Sequence, residues 1–271
     1  MRDRVIETPT GGYDSIYSGF DSPLMRQVRR ESYGEDIGQH SWVTAQEFRR
    51  DMASLGLSAS TRLLDLGCGA GGPLTYAMRE TGCWATGMDA SEPALASARE
   101  RARVLGVEQR IRLTQADLNR PLALPARLFE AAISLDVILH LENRQELFHE
   151  VARVLVPGGR FLFTDAGVLT GAVSDAETLH RSLHAQVRFQ PPGFNERALE
   201  AAGFRVLETE DRSVSQRALA EARHAARLAH EDELAKIEGD EFELHQRYLE
   251  TVIAISRRGA VARRMFLAQK P

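Results

Sequence analysis

Residues 62–72 read RLLDLGCGAGG, an apolar run that ends on a carboxylate and breaks into glycines. Leu63, Leu64 and Leu66 have the density of a short buried strand, and the strand stops at Gly67. A helical pattern follows over 73–80. Glycines between a strand and a helix let the backbone approach a ligand, and the helix N-terminus favours an anionic group. Gly67, Gly69 and Gly72 satisfy G-x-G-x-x-G, which on its own also admits a nicotinamide dinucleotide.

Outward from this loop the same rhythm repeats. CWATGMD (83–89) reads as a second strand, and Ser91 is a good N-cap for the helix after it. IRLTQAD (111–117) alternates as a third strand and FEAAISLD (129–136) forms a fourth. Residues 144–155 are amphipathic, with Leu147, Val151 and Val154 on one stripe. Pro157-Gly158-Gly159 reads as a turn and GRFLFTDA as a fifth strand. A helix over 196–202, a sixth strand over 204–211, about 45 helical positions and a strand-like RRMFLAQK complete the chain. Strands alternating with helices predict an α/β fold: a Rossmann-like, seven-stranded, mostly parallel sheet with helices on both faces. An N-terminal helical cap and a helical insertion before the last strand are appended. The expected divisions are 1–50 as cap or lid, 51–212 as core, 213–258 as insertion forming an acceptor-site wall, and 259–271 as last strand. The preface shows little periodicity, and an insertion of this size is too long for a connector.

Three carboxylates narrow the ligand. Asp65 ends strand one two residues before the first glycine, where it sits poorly beside a pyrophosphate but suits an ammonium group. Asp89 ends strand two, where an acid can take both hydroxyls of a ribose. Asp117, beside Leu118, closes strand three, where a carboxylate can accept from an adenine amino group. Together they describe an amino acid, a ribose and an adenine without phosphates. With LLDLGCGAGG, TGMDAS, QADLN, SLDVILHL and LVPGGRFLFTD in order and spacing, the chain resembles the class I S-adenosylmethionine-dependent methyltransferases over roughly residues 33–166. The resemblance implies S-adenosylmethionine as cofactor. It places Gly67, Cys68 and Gly69 around the methionine moiety with Asp65 near its amino group, Asp89 and Ala90 at the ribose, Asp117 and Leu118 at the adenine, and Ser134 along the methionyl side.

The acceptor is read from two further segments. SLDVILHL (134–141) is similar to the matching stretch of phosphoethanolamine N-methyltransferases, in which an acid and a histidine four residues later lie in the acceptor pocket; Asp136 and His140 hold those positions. The resemblance makes His140 a candidate base with Asp136 positioning substrate or imidazole. YGEDIGQH (33–40) looks like a segment of the glycine-betaine-forming N-methyltransferases that folds over the cofactor. Tyr13 and Tyr17 would then shield the sulfonium, and Gln39, His40 and Trp42 would face the substrate. The segment 167–193 departs from the phosphobase pattern, since it holds Arg181 and Arg188 but no tyrosine. His180 and His184 with Val187 and Phe189 read instead as a partly apolar wall for a larger metabolite.

Composition excludes other classes. Hydrophobic residues make up 43% and charged residues 27% of 271, ordinary for a globular chain. A net charge of −4 provides no basic field for nucleic acid or an anionic membrane, and no N/D-P-P-Y/F motif follows strand four. No apolar run reaches a membrane span, and MRDRVIETPTGGYD (1–14) has no apolar core of a signal peptide. Cys68 and Cys83 form neither CxxC nor a disulfide framework, so a cytoplasmic enzyme is the expectation. His180 and His184 have a helical metal spacing but no third ligand, so no metal is assigned. The expected function is methyl transfer to nitrogen or oxygen of a small metabolite, in a monomer or homodimer. C-methylation of a small apolar metabolite and a non-catalytic S-adenosylmethionine-binding module are the alternatives, and a nucleotide-dependent oxidoreductase is the rival enzyme. Asp89→Ala is expected to weaken cofactor binding by about 1–3 kcal/mol; unchanged affinity in a calorimetric titration would remove the ribose assignment.

Overall fold

The computed structural model describes residues 11–271. The first ten residues of the expected cap, which make up most of the 1–14 stretch without a signal-peptide core, lie outside the described residues.

Seven strands form one sheet: β1 (Arg62–Leu66), β2 (Trp84–Asp89), β3 (Ile111–Gln115), β4 (Phe129–Leu135), β5 (Leu155–Leu169), β6 (Arg205–Asp211) and β7 (Val261–Gln269). Their order is β3-β2-β1-β4-β5-β7-β6. All pairs from β3 to β5 are parallel, and β7 runs antiparallel between β5 and β6. The order reverses at β1 and β4, so a crevice opens outside their carboxyl ends, where α/β sheets bind ligands.

The pleat sorts the core onto two faces. Leu63, Ile133, Leu162 and Leu267 point to one side, against α3 (Ala45–Leu55), α4 (Gly72–Thr81) and α5 (Glu92–Val104). Leu64, Leu66, Ala132, Phe161, Phe163 and Phe266 point to the other, against α6 (Arg144–Val154) and α8 (Phe194–Ala201). Strands buried on both faces carry continuous apolar runs, as β1 and β4 do.

The preface is more regular than its weak periodicity predicts. It holds α1 (Gly11–Ser18), α2 (Pro23–Tyr33) and the start of α3. Their signals are caps rather than stripes: Ser22 accepts from the Met25 N–H, and Thr44 with Glu47 forms a capping box. The expected boundary at residue 50 falls inside α3. The turn Pro157-Gly158-Gly159 is an irregularity within β5 rather than a break before it, and the β4–β5 register shifts there. The wall segment contains a further helix, α7 (Asp175–Arg181), opened by a Ser174/Glu177 capping box. Because α7 stops at Arg181, His180 and His184 do not share one helix face, and the i, i+4 metal geometry does not exist. The insertion folds as α9 (Ser213–Ala229), α10 (Glu231–Glu238) and α11 (Glu241–Arg257). It packs on α2 through Val28, Ala226, Leu234 and Phe242. No helix among the described residues is long and apolar enough to cross a membrane.

Buried ion pairs join these layers. The Arg212 guanidinium, at the entrance to α9, reaches both oxygens of Asp51 on α3 at 2.9 and 2.5 Å, and both side chains are buried. Removing one partner of such a pair strands the other charge away from water. Asp51→Ala is expected to cost about 3–5 kcal/mol and to lower the thermal midpoint by roughly 10 °C. Scanning calorimetry of the two proteins checks this, and equal midpoints would show that the pair carries no net stability.

Candidate functional site

The crevice at the carboxyl ends of β1, β2 and β4 has a volume of about 170 Å³ and opens to solvent. Its floor is the glycine loop. Gly67 and Gly69 have φ of +81° and +53°, and a Cβ at either would collide, at Gly67 with Val137 and at Gly69 with the Tyr17 hydroxyl. The side chains there leave room only for bare backbone.

Asp65 stands at the end of β1, 3% exposed, and its carboxylate has no hydrogen-bond partner among the described residues. Burial, with the Asp89 carboxylate nearby, pushes its pKa up to about 8. A carboxylate held this way calls for a cation. Asp89 accepts from the Gly69 N–H at 2.8 Å and the Ser91 N–H at 2.9 Å. Burial still raises its pKa. Ser91 in turn donates to Asp14 of α1 at 2.5 Å, so the cap is bonded to the end of β2. Asp117 and Leu118 line the outer end of the crevice, where Asp117 holds the backbone and side-chain N–H groups of Asn119. Cys68 and Ala90 line it too, and burial pushes the Cys68 thiol up. Ser134 does not reach the crevice: it is fully buried in β4 and donates to the Leu66 carbonyl at 2.8 Å. Leu135 and Asp136, one and two residues on, line it instead.

On the cap side Tyr13 and Tyr17 of α1 lie over the loop, their rings stacked with centroids 6.3 Å apart. The Tyr13 hydroxyl lies 3.0 Å from His140 Nε2, and His140 Nδ1 lies 3.1 Å from the Gln186 carbonyl. A carbonyl only accepts, so the imidazole proton sits on Nδ1 and Nε2 accepts from Tyr13. Burial lowers the His140 pKa to about 4, which keeps the ring neutral at physiological pH. Burial likewise raises both tyrosines, leaving their hydroxyls as donors.

Asp136 lines the crevice but does not orient His140 through a hydrogen bond. Its Oδ2 accepts from the Trp42 N–H at 2.8 Å and its Oδ1 from Arg263 Nε at 2.9 Å. The residue has φ of +59°, a strained value outside glycine that turns its carboxylate back toward the cap.

The expected substrate residues divide. His40 lines the crevice beneath Tyr13 and Tyr17. His184 is buried against Tyr13, His40 and His245. Burial holds both imidazoles well below their ordinary pKa. Trp42 is a wall residue stacked on Tyr248. Gln39 does not line the crevice: it is fully buried, ties its own loop to Ile37 N–H and Glu35 O, and borders the neighbouring space against the insertion. His180 lies away from the crevice, against Thr251. Sequence reasoning missed Arg223 and Tyr248, and gave Arg181 no role. These three converge with Tyr13, Trp42 and His140 on a small inner chamber of about 40 Å³ beside the crevice. Two of them come from the insertion, and only its size pointed to them.

Comparison with known proteins bears on this geometry. Residues 64–163 match a family model described as a methyltransferase domain. The chain is 35% identical over 137 residues to methyltransferase GfsG of Streptomyces halstedii, covering 50% of this chain and 47% of that protein. It is 32% identical to a glycine/sarcosine/dimethylglycine N-methyltransferase of Actinopolyspora halophila, over 79% of this chain and 37% of that protein. The chain thus spans less than half the length of these two curated relatives. Among solved structures it is similar to the [4+2]-cyclase SpnF, at 25% identity and a TM-score of 0.73, over 97% of both chains.

The Asp65 carboxyl gives the site a pH signature. Its raised pKa means that its charge opposes stability as pH climbs from about 4 to about 8 in the ligand-free protein. An ammonium group in the crevice favours the ionised form. Affinity for S-adenosylhomocysteine is therefore expected to rise with pH between 6 and 8, by up to about tenfold per unit, and to level off near 8. Asp65→Asn is expected to abolish that rise and to lift the ligand-free thermal midpoint at pH 8 but not at pH 4. A pH-independent affinity in the parent protein would refute this reading.

Proposed function

We propose, from the match of residues 64–163 to a methyltransferase-domain model and the likeness of the chain to class I S-adenosylmethionine-dependent methyltransferases, that the protein moves a methyl group from S-adenosylmethionine to a nitrogen or oxygen of a small metabolite. The observation that carries the proposal is the buried Asp65 carboxylate, without a hydrogen-bond partner among the described residues, facing the same crevice as His140, whose Nε2 accepts from the Tyr13 hydroxyl. The cofactor supplies an electrophilic methyl group on a sulfonium.

The chain's own residues then divide the work. Asp65 holds the ammonium group, and the Gly67–Gly69 backbone admits the methionine moiety. Asp89, already oriented by two backbone N–H groups, takes the ribose hydroxyls; Asp117 and Leu118 frame the adenine. Tyr13, Tyr17 and His40 cover the crevice and exclude water from the transfer. Alignment in a closed site supplies most of the acceleration, so no nucleophilic side chain is required. His140 takes up the acceptor's proton at Nε2 by way of the Tyr13 hydroxyl, which passes its own proton to Nε2 and receives the acceptor's, because Nδ1 keeps its proton on the Gln186 carbonyl. With a pKa of about 4 it is a weak base, suited to a proton that turns acidic only as the new bond to the methyl group forms. The relative named as a glycine/sarcosine/dimethylglycine N-methyltransferase supports a small metabolite as acceptor. We read the protein as a cytoplasmic monomer or homodimer of specialised biosynthesis; two buried free thiols fit a reducing compartment, and the net charge of −4 argues against nucleic acid.

A second reading has its own observation. The full-length likeness to a [4+2]-cyclase supports a protein that folds an acceptor over the same crevice without transferring a methyl group. Mass spectrometry after incubation with S-adenosylmethionine and a panel of amines, phenols and carboxylic acids separates the two. A gain of one methyl with release of S-adenosylhomocysteine is expected; ring closure of an added polyene with the cofactor unconsumed would favour the second. His140→Ala is expected to lower turnover about 10²-fold with cofactor affinity retained. Unchanged turnover would reduce His140 to a packing residue.

A further inference from the structure

The inner chamber beside His140 carries an excess of positive charge. Arg181 is 3% exposed, with Nη1 donating to the Tyr248 hydroxyl at 2.8 Å and Nη2 to the Ala166 carbonyl at 3.4 Å. Its Nε is buried with no partner among the described residues. Arg223 lies over the Trp42 ring at 4.9 Å and donates to the His40 carbonyl at 3.4 Å. Neither guanidinium meets a carboxylate among the described residues. The acids near them are committed elsewhere: Asp136 to Arg263 and the Trp42 N–H, Asp165 to Arg144 and Asn195. A buried guanidinium without a counter-ion is costly unless a ligand supplies one.

A second space adjoins this chamber and shares His40, Arg223 and Tyr248 with it. It measures about 430 Å³ between α1–α2 and α9–α11. Phe20, Met25, Val28, Leu234, Ile237 and Leu249 give it an apolar lining. Ile237, 71% exposed, stands at its outer lip. Within it Glu238 is held between Arg227 and His245.

We propose that the acceptor is an amphipathic acid: its anionic group, a carboxylate or a phosphate ester, sits on Arg181 and Arg223, and its apolar body fills the space between α2 and α9–α11. This rests on the methyl-transfer reading for the role of the bound molecule, but not for its binding. The Tyr248 hydroxyl positions Arg181, and the Trp42 face positions Arg223. Both arginines share the chamber with His140 Nε2, so the anion anchors the end of the acceptor nearest the reacting atoms. A simple cationic amine with no acid group is disfavoured there.

Titration calorimetry tests this with four probes of equal chain length, decanoate, decyl phosphate, decanol and decylamine, on the full chain saturated with S-adenosylhomocysteine. The acids are expected to bind at least tenfold more tightly than decanol and decylamine, and the tighter acid identifies the anionic group. Arg223→Gln is expected to remove that tenfold preference. Arg181→Lys, which keeps the charge, is expected to retain most of it, and Arg181→Gln to lose it. Val28→Trp, which fills the apolar space, is expected to weaken decanoate while leaving S-adenosylhomocysteine affinity unchanged. Decanol binding as well as decanoate, or Arg223→Gln leaving the preference intact, would overturn the inference. Saturation with S-adenosylhomocysteine but no preference for acids defeats this inference alone. Preference for acids without S-adenosylhomocysteine binding defeats the methyl-transfer reading alone.

Discussion

Arg263 sits at the start of β7 with none of its side chain exposed, and much of the site's geometry follows from how its charge is met. Its Nε donates to Asp136 at the end of β4 and its Nη1 to Glu47 on α3 at 3.4 Å. Asp136 divides its carboxylate between that guanidinium and the Trp42 N–H. Glu47 divides its own between Arg263 and the cap of its helix, through the Thr44 N–H. Three stretches far apart in sequence therefore share one buried network: the antiparallel strand, the turn after β4, and the segment that leads from the cap into the core. The opposed charges are retained because each is hydrogen-bonded as well as paired. His140 lies four residues beyond Asp136, and Trp42 two beyond His40. The network therefore sets the distance between His140 and the cap that covers it.

The sheet was legible in the sequence because its strands are short, buried on both faces and punctuated by glycine. Leu63 and Leu64 go to opposite faces, as the pleat requires, and the carboxylates Asp65 and Asp89 fall at strand ends where the topology opens its crevice. Patterns of this kind are local, and a linear reading captures them. The cap was less legible because α1 and α2 are short and signalled by their N-caps rather than by a long stripe.

The acceptor side was the least legible, for a physical reason. Arg181, Arg223 and Tyr248 come from three helices, and nothing in their spacing marks them as neighbours. Asp136 and His140 lie on one turn and invite a reading as a dyad, yet the positive φ at Asp136 turns its carboxylate away to Trp42 and Arg263. His140 takes its orientation from a backbone carbonyl 46 residues away instead. Gln39 and Ser134 look like ligands because their neighbours are, but each spends its hydrogen bonds on the backbone. A polar side chain beside a site is as often its mortar as its tool.

The insertion leaves and rejoins the core at one rung of the β-ladder. The Arg212 N–H donates to the Arg263 carbonyl at 2.8 Å, so residues 213–262 begin and end at hydrogen-bonded neighbours. A loop whose ends already touch adds little strain when its length changes, since closure entropy grows only with the logarithm of length. The sheet's register and the glycine loop are therefore insulated from what α9–α11 contain. The helices of the insertion can diversify as an interchangeable part, while the glycine loop stays under one unchanging set of steric demands.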